Sequence, residues 1–131
     1  MALTINLEEH HSYILFEIIG KIDAYNAKIV AAALNDALYN SHKHLLLECS
    51  QLQSINSKGL QQFLATRRQM PFFRTMLFCN PISSIASLFE LSGITQFIPV
   101  IPDIIEAEAL LQELDVAQGH IASQQALKYP D

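Results

Sequence analysis

The segment Ser54-Ile55-Asn56-Ser57-Lys58-Gly59 is a polar corner that launches a helical pattern shortly after the apolar run His44–Cys49. A serine at such a corner can act as a nucleophile, accept a phosphoryl group, or cap the helix by satisfying a free backbone N–H. Nucleophilic use needs a positioned base, and His42 and His44 lie at the opposite end of the strand that leads into the corner, which disfavours a serine hydrolase. The His42-x-His44 spacing puts two imidazoles on one side of an extended segment, with His10 and His11 elsewhere. Zinc asks for three or four ligands, and no acid or cysteine stands at a suitable spacing, so no metal site is expected. Cys49 and Cys79 sit inside apolar stretches without Cys-x-x-Cys spacing and read as small core residues. Asp23 and Asn26 read as a turn acid followed by a helix N-cap. Glu48, at a strand end, suits a buried acceptor for the 50–56 loop more than a catalytic acid. Neither Gly-x-x-x-x-Gly-Lys-Ser/Thr nor Gly-x-Gly-x-x-Gly occurs, and four glycines leave little backbone to cradle a phosphate, so no cofactor is expected.

The elements that must position these residues alternate between two periodicities. Thr4–Leu7 and Tyr13–Ile19 read as adjacent strands joined by a polar turn, Glu8 to Ser12, with Gly20 breaking the second. Ala27, Val30, Ala31, Leu34, Ala37 and Leu38 recur at helical spacing behind Asn26. His44–Cys49 is a central strand; after the turn-rich Ser50–Asn56 comes a helix with Leu60, Phe63, Leu64 and Arg67 on one face, ended by Pro71. Thr75–Cys79 is a fourth strand, Ile82–Ser92 a helix with Ile85, Leu88 and Phe89 inward and Gly93 as its stop. Phe97–Ile101 is a fifth strand, and Asp103 caps a helix running to Leu114. The order ββαβαβαβα predicts one α/β domain over 1–114, a mainly parallel five-stranded sheet with an antiparallel edge strand and about four helices. Residues 115–131 read as a polar tail with at most a weak helix.

Composition narrows the function classes. The 131 residues are 50% hydrophobic but only 16% charged, a normal core under a sparsely charged surface that favours docking. A net charge of −5, with no basic run longer than Arg67-Arg68, makes nucleic acid a poor partner. No signal-like leader and no apolar run of membrane-spanning length is present, which points to a cytoplasmic protein without direct membrane insertion.

Three stretches, GKIDAYNAKIV (20–30), LLLECSQLQSINSKGLQQFL (45–64) and LFELSGITQFIPVIPDIIEAEALL (88–111), together resemble the STAS domain of bacterial anti-sigma factor antagonists in order and spacing. The resemblance spans about 110 residues and implies a non-enzymatic partner switch. The unmodified domain would bind a serine kinase that doubles as an anti-sigma factor; phosphorylation of a loop serine would break the complex, and a serine phosphatase would restore it. Ser57 matches that serine. Asp23, Asn26, Ser54, Asn56, Ser57 and Lys58 are the implied partner contacts. Two positions depart from the family pattern: its loop acid is Asn56 here and its second serine is Lys58. These keep open a STAS scaffold that works without phosphorylation, in a signalling complex or as accessory subunit of a lipid-transport ATPase. A small flavodoxin-like enzyme is the reading from another class, and a homodimer is also left open.

Overall fold

The computed structural model describes residues 2–115. In chain order it holds β1 (Thr4–Glu9), β2 (Tyr13–Ile22), α1 (Ala27–Asn40), β3 (His44–Glu48), β4 (Leu52–Ile55), α2 (Ser57–Gln69), β5 (Met76–Cys79), α3 (Ser83–Ser92), β6 (Val100–Ile101) and a helix, α4, over 104–115. β1 and β2 form the antiparallel hairpin, with Thr4 opposite Ile19 and Glu9 opposite Ile14. The main strand order is β1-β2-β3-β5-β6, parallel from β2 onward. This is the α/β architecture expected from the alternating patterns.

Side chains alternate across the sheet because successive residues of a strand point to opposite faces. Ile14, Phe16 and Ile18 of β2, Leu45 and Leu47 of β3, and Met76 and Phe78 of β5 share a core with Val30 and Leu34 of α1, Phe63 of α2, and Ile85 and Phe89 of α3. Tyr13, Leu46, Leu77 and Cys79 lie on the other face, packed with Ala107 and Leu111 of α4. A strand covered on both faces must be apolar throughout, which accounts for the uninterrupted run Leu45-Leu46-Leu47.

The structure corrects the expected layout in four places. The sheet has six strands, not five, because Leu52–Ile55, which lies within the turn-rich 50–56 segment, pairs with β2 as β4. Its two polar central residues are exposed and only Leu52 and Ile55 are buried, so four residues carry too little pattern to stand out. Gly20 does not end β2: it sits inside the strand at a bulge, with φ +111, and the strand runs on to Ile22. There β2 exchanges its neighbour, pairing with β3 along 13–17 and with β4 along 20–22. Glu8 and Glu9 belong to β1, on its exposed edge, and not to the turn. The fifth expected strand, 97–101, shrinks to Val100–Ile101, preceded by a 3-10 turn at Ile94–Gln96, with Phe97 exposed. Asp103 caps α4 as anticipated, its Oδ1 accepting the Ile105 N–H at 2.7 Å. Apart from Asp115, which lies in α4, the tail expected over 115–131 falls outside the described residues.

Two buried polar groups hold the end of the sheet where β3 and β5 begin. Arg74 is 3% exposed, and its guanidinium donates to three carbonyls: Ala37 (3.0 Å) and Leu38 (2.9 Å) near the end of α1, and Lys43 (2.5 Å) before β3. Those carbonyls include helix-end acceptors that have no partner within α1. His44 is buried and its Nδ1 accepts the Thr75 N–H at 2.9 Å, so that nitrogen carries no proton. Burial, and secondarily Arg74, push the His44 pKa below its ordinary value, against an opposing pull from Asp115. The neutral form is thus the folded one. As pH falls below the unfolded histidine value of about 6.5, the unfolded chain takes up a proton that the folded chain refuses, and stability drops. Urea unfolding at pH 7.5 and 5.5 should show a larger loss for the wild type than for His44→Gln; equal losses would remove His44 from the account.

Candidate functional site

β2 and β4 end side by side, with Ile22 paired to Ile55 and the Asn56 N–H donating to the Ile22 carbonyl at 3.1 Å. This register brings together the two loops expected to carry function, 20–25 and 50–59. Asp23 and Asn26 follow β2; Asn56, Ser57 and Lys58 follow β4, and Ser54 is an exposed residue within β4.

The first loop is held by reciprocal side-chain bonds. Asp23 Oδ1 accepts the N–H groups of Tyr25 (2.8 Å) and Asn26 (2.9 Å), while Asn26 Oδ1 accepts the Asp23 N–H at 2.8 Å. Asn26 Nδ2 also donates to the Lys21 carbonyl at 2.8 Å. The N-cap role expected of Asn26 therefore needs correcting. Asn26 already has right-handed helical dihedrals and makes no side-chain cap bond. The turn starts at Asp23, whose carbonyl accepts the Ala27 N–H at 3.1 Å and whose carboxylate sits where a capping acceptor belongs.

The second loop begins in Glu48, 8% exposed, whose carboxylate accepts from the Ser50 N–H (2.6 Å) and hydroxyl (2.9 Å). That is the structural role anticipated for it. Asn56 is extended and caps α2, accepting the Gly59 N–H at 3.0 Å. The cap position being filled by Asn56, Ser57 is left as the first helical residue, with its side chain exposed. A phosphate there would meet the positive end of the helix dipole. Lys58, exposed beside it, runs against the dipole, since a cation in the first turn costs about 0.3–1 kcal/mol. Gly59 brings α2 down onto both strands: a Cβ there would lie 2.7 Å from Ile22 Cγ2 and 2.7 Å from Ile55 Cγ1.

Three features of this end were not singled out by sequence pattern. Tyr25 and Ile29 are 86% and 50% exposed, large apolar side chains flanking the loops. The signal for Ile29 was an apolar residue off the buried stripe of α1. Exposed charge is also of one dominant sign: Lys21, Lys28 and Lys58 against Asp23, in a chain of net charge −5. Gly59 needed three dimensions, because its close neighbours come from two other strands.

The remaining candidates are accounted for by packing. Cys49 and Cys79 are free, fully buried thiols; burial holds Cys49 well above its ordinary pKa and pushes Cys79 up to about 12, so neither is a thiolate near neutral pH. His10 stacks on Tyr13 at 4.5 Å and lies 2.9 Å from Glu8, while Tyr13 donates to Glu108 of α4. Among the described residues no group of three or more His, Cys, Asp and Glu is arranged to hold a metal ion, and no helix is long and apolar enough to cross a membrane.

Comparison with known proteins agrees with this fold. Residues 4–107 match the STAS domain family. An anti-sigma F factor antagonist of Paenibacillus polymyxa is 24% identical over 118 residues, covering 88% of this chain and 98% of its own. Among solved structures, an anti-sigma factor antagonist from Mycobacterium paratuberculosis superposes with a TM-score of 0.79 at 19% identity, over 85% of this chain and 95% of its own. The Bacillus cell fate determinant SpoIIAA, in its phosphorylated form, has a TM-score of 0.63 at 14% identity, over 82% of this chain and 99% of its own.

Proposed function

The chain belongs to the STAS domain family, and from that premise we propose that it is a cytoplasmic, non-catalytic regulator of the anti-sigma factor antagonist type, switched by phosphorylation of Ser57. Its unmodified form binds a serine kinase that doubles as an anti-sigma factor, through the paired loops that carry Asp23, Asn26, Ser54, Asn56, Ser57 and Lys58. A serine phosphatase resets it. The observation that carries this reading is the exposed Ser57 at the start of α2, held next to the Asp23–Asn26 loop by the Ile22–Ile55 pairing. The relative from Paenibacillus polymyxa is named for this activity, and a Bacillus protein of the same fold exists in a phosphorylated form.

A phosphate brings about −1.5 to −2 charge and three acceptor oxygens. Against the Lys21, Lys28 and Lys58 side chains it would nearly cancel the local positive excess, which a partner surface must sense. It would do so without unfolding the domain, because the helix dipole tolerates an anion at this end.

Recovery of the protein with its native partner, followed by mass spectrometry and binding assays, tests the proposal. Phosphate should be found on Ser57; Ser57→Ala should bind the partner as the wild type does, and Ser57→Asp at least about tenfold more weakly, or about 1.4 kcal/mol. Equal affinity of the two variants would end the switching model. A second reading rests on Asn56 and Lys58, which replace the family's loop acid and second serine. It makes the chain an unphosphorylated scaffold or accessory subunit, and a transport ATPase as sole partner, with Ser57 never modified, would select it.

A further inference from the structure

Three lysines stand at the Ser57 end with nothing to neutralise them. Lys21, Lys28 and Lys58 are exposed, and among the described residues none of them is ion-paired, whereas Lys43 is held by Glu9 at 3.1 Å. Segments 20–30 and 50–60 set these three cations against one carboxylate, Asp23, whose Oδ1 already accepts two backbone N–H groups. The local excess runs against the net charge of −5. Acids ordinarily favour the first turn of a helix, yet α1 and α2 carry none there and have Lys28 and Lys58 as their second residues. Neither lysine gains a charged partner inside the fold, so their charge acts outward.

Apolar surface lies among these charges. Tyr25 and Ile29, both exposed, stand four positions apart across the start of α1, with Lys28 beside Ile29. The backbone of Tyr25 is fixed by its N–H bond to Asp23 Oδ1, so the ring is presented on a rigid loop and loses little freedom on docking. The mixture selects the occupant. A phosphate backbone would use the lysines and leave Ile29 in water, and the negative chain as a whole repels a polyanion. A neutral apolar face would leave three cations at its rim without counter-charge.

We propose that this end docks an acidic protein surface: an apolar patch on the partner receives Tyr25 and Ile29, and carboxylates around that patch pair with Lys21, Lys28 and Lys58. The proposal rests on the partner-binding reading above and names the chemistry of the partner's face. Rim charges of this kind steer encounter and select the partner, while the buried aromatic supplies most of the affinity. Phosphorylation then acts by charge. A phosphate on Ser57, next in sequence to Lys58, would cancel the rim charge and set its own oxygens against the partner's carboxylates. The departures from the family pattern point the same way, since Asn56 stands in place of an acid and Lys58 in place of a serine.

Carbodiimide crosslinking of the full chain in complex with the recovered partner, read by mass spectrometry, tests this, because the reagent joins an amine to a carboxylate only where the two touch. Lys21, Lys28 or Lys58 should be found bonded to Asp or Glu of the partner. In binding titrations Tyr25→Ser should raise the Kd at least about tenfold at unchanged Tm, since so exposed a ring contributes little to folding. Replacing Lys21, Lys28 and Lys58 together by Gln should do the same and flatten the dependence of Kd on salt. Crosslinks that run only from Asp23 to partner lysines overturn the proposal, as does a triple variant or a Tyr25→Ser chain that binds like the wild type. So does a triple variant that loses binding to duplex DNA alone. Equal affinities of Ser57→Ala and Ser57→Asp, with the lysine and tyrosine effects intact, would end the switching model and leave the acidic partner standing.

Discussion

Arg74→Met should lower the unfolding free energy by about 3–4 kcal/mol, the largest loss expected of any single substitution considered for this chain. The guanidinium serves Ala37, Leu38 and Lys43 carbonyls at once, in a site that leaves it 3% exposed. Each hydrogen bond to a charged group is worth about 1.5–3 kcal/mol, and the three are not additive because one side chain makes them all. Methionine fills much of the volume but leaves buried acceptors unpaired. Urea unfolding should show a lower midpoint at an unchanged slope, and the Tm should fall by roughly 10 °C. Arg74→Lys separates charge from geometry: an ammonium reaches one or two of the carbonyls in place of the fork, so it should recover only part of the loss. Full recovery by lysine, or a loss below about 1 kcal/mol in Arg74→Met, would mean that the fork is not what closes the end of α1.

Gly59→Ala should cost about 1–2 kcal/mol, although alanine is the better helix former by roughly 1 kcal/mol. The added Cβ would sit 2.7 Å from Ile22 Cγ2 and Ile55 Cγ1, and 3.0 Å from Ile55 Cδ1. Ile22 and Ile55 are 2% and 8% exposed, so neither side chain has an easy way out. Overpacking of this kind typically costs about 1–3 kcal/mol. The coupling is testable in a double-mutant cycle. Ile55→Ala removes most of the obstruction, so adding Gly59→Ala to it should cost at least about 1 kcal/mol less than in the wild type. A stabilised Gly59→Ala protein would show that α2 lifts freely from the strands. In that event Ser57 would be less firmly placed than the geometry indicates.

Much of this was readable from residue order. The apolar run at 45–47 announced a doubly covered strand, the i, i+3, i+4 spacing announced α1 and α3, and Asp103 and Gly93 marked helix ends as they should. The 50–59 corner was legible because polar residues stand between two patterned segments. What escaped depends on contacts between distant residues. Leu52–Ile55 becomes a strand only because β2 turns toward it past the Gly20 bulge. Asn26 looked like a cap by type, but the reciprocal bonds with Asp23 shift the turn three residues earlier. Arg74 gave no signal, since a lone arginine after Phe-Phe looks solvated until the carbonyls of α1 surround it.

The strand order has one more consequence. Its main path ends in β1 and β6, and an open sheet edge invites pairing with foreign strands and, from there, aggregation. β1 carries Glu8 and Glu9 at its end, carboxylates that an incoming strand would have to desolvate. β6 is two residues long, with Pro99 before it and Pro102 after it, positions that lack the N–H needed to lengthen a ladder. At both ends of that path a sparsely charged protein thereby keeps its neighbours off the backbone of the sheet.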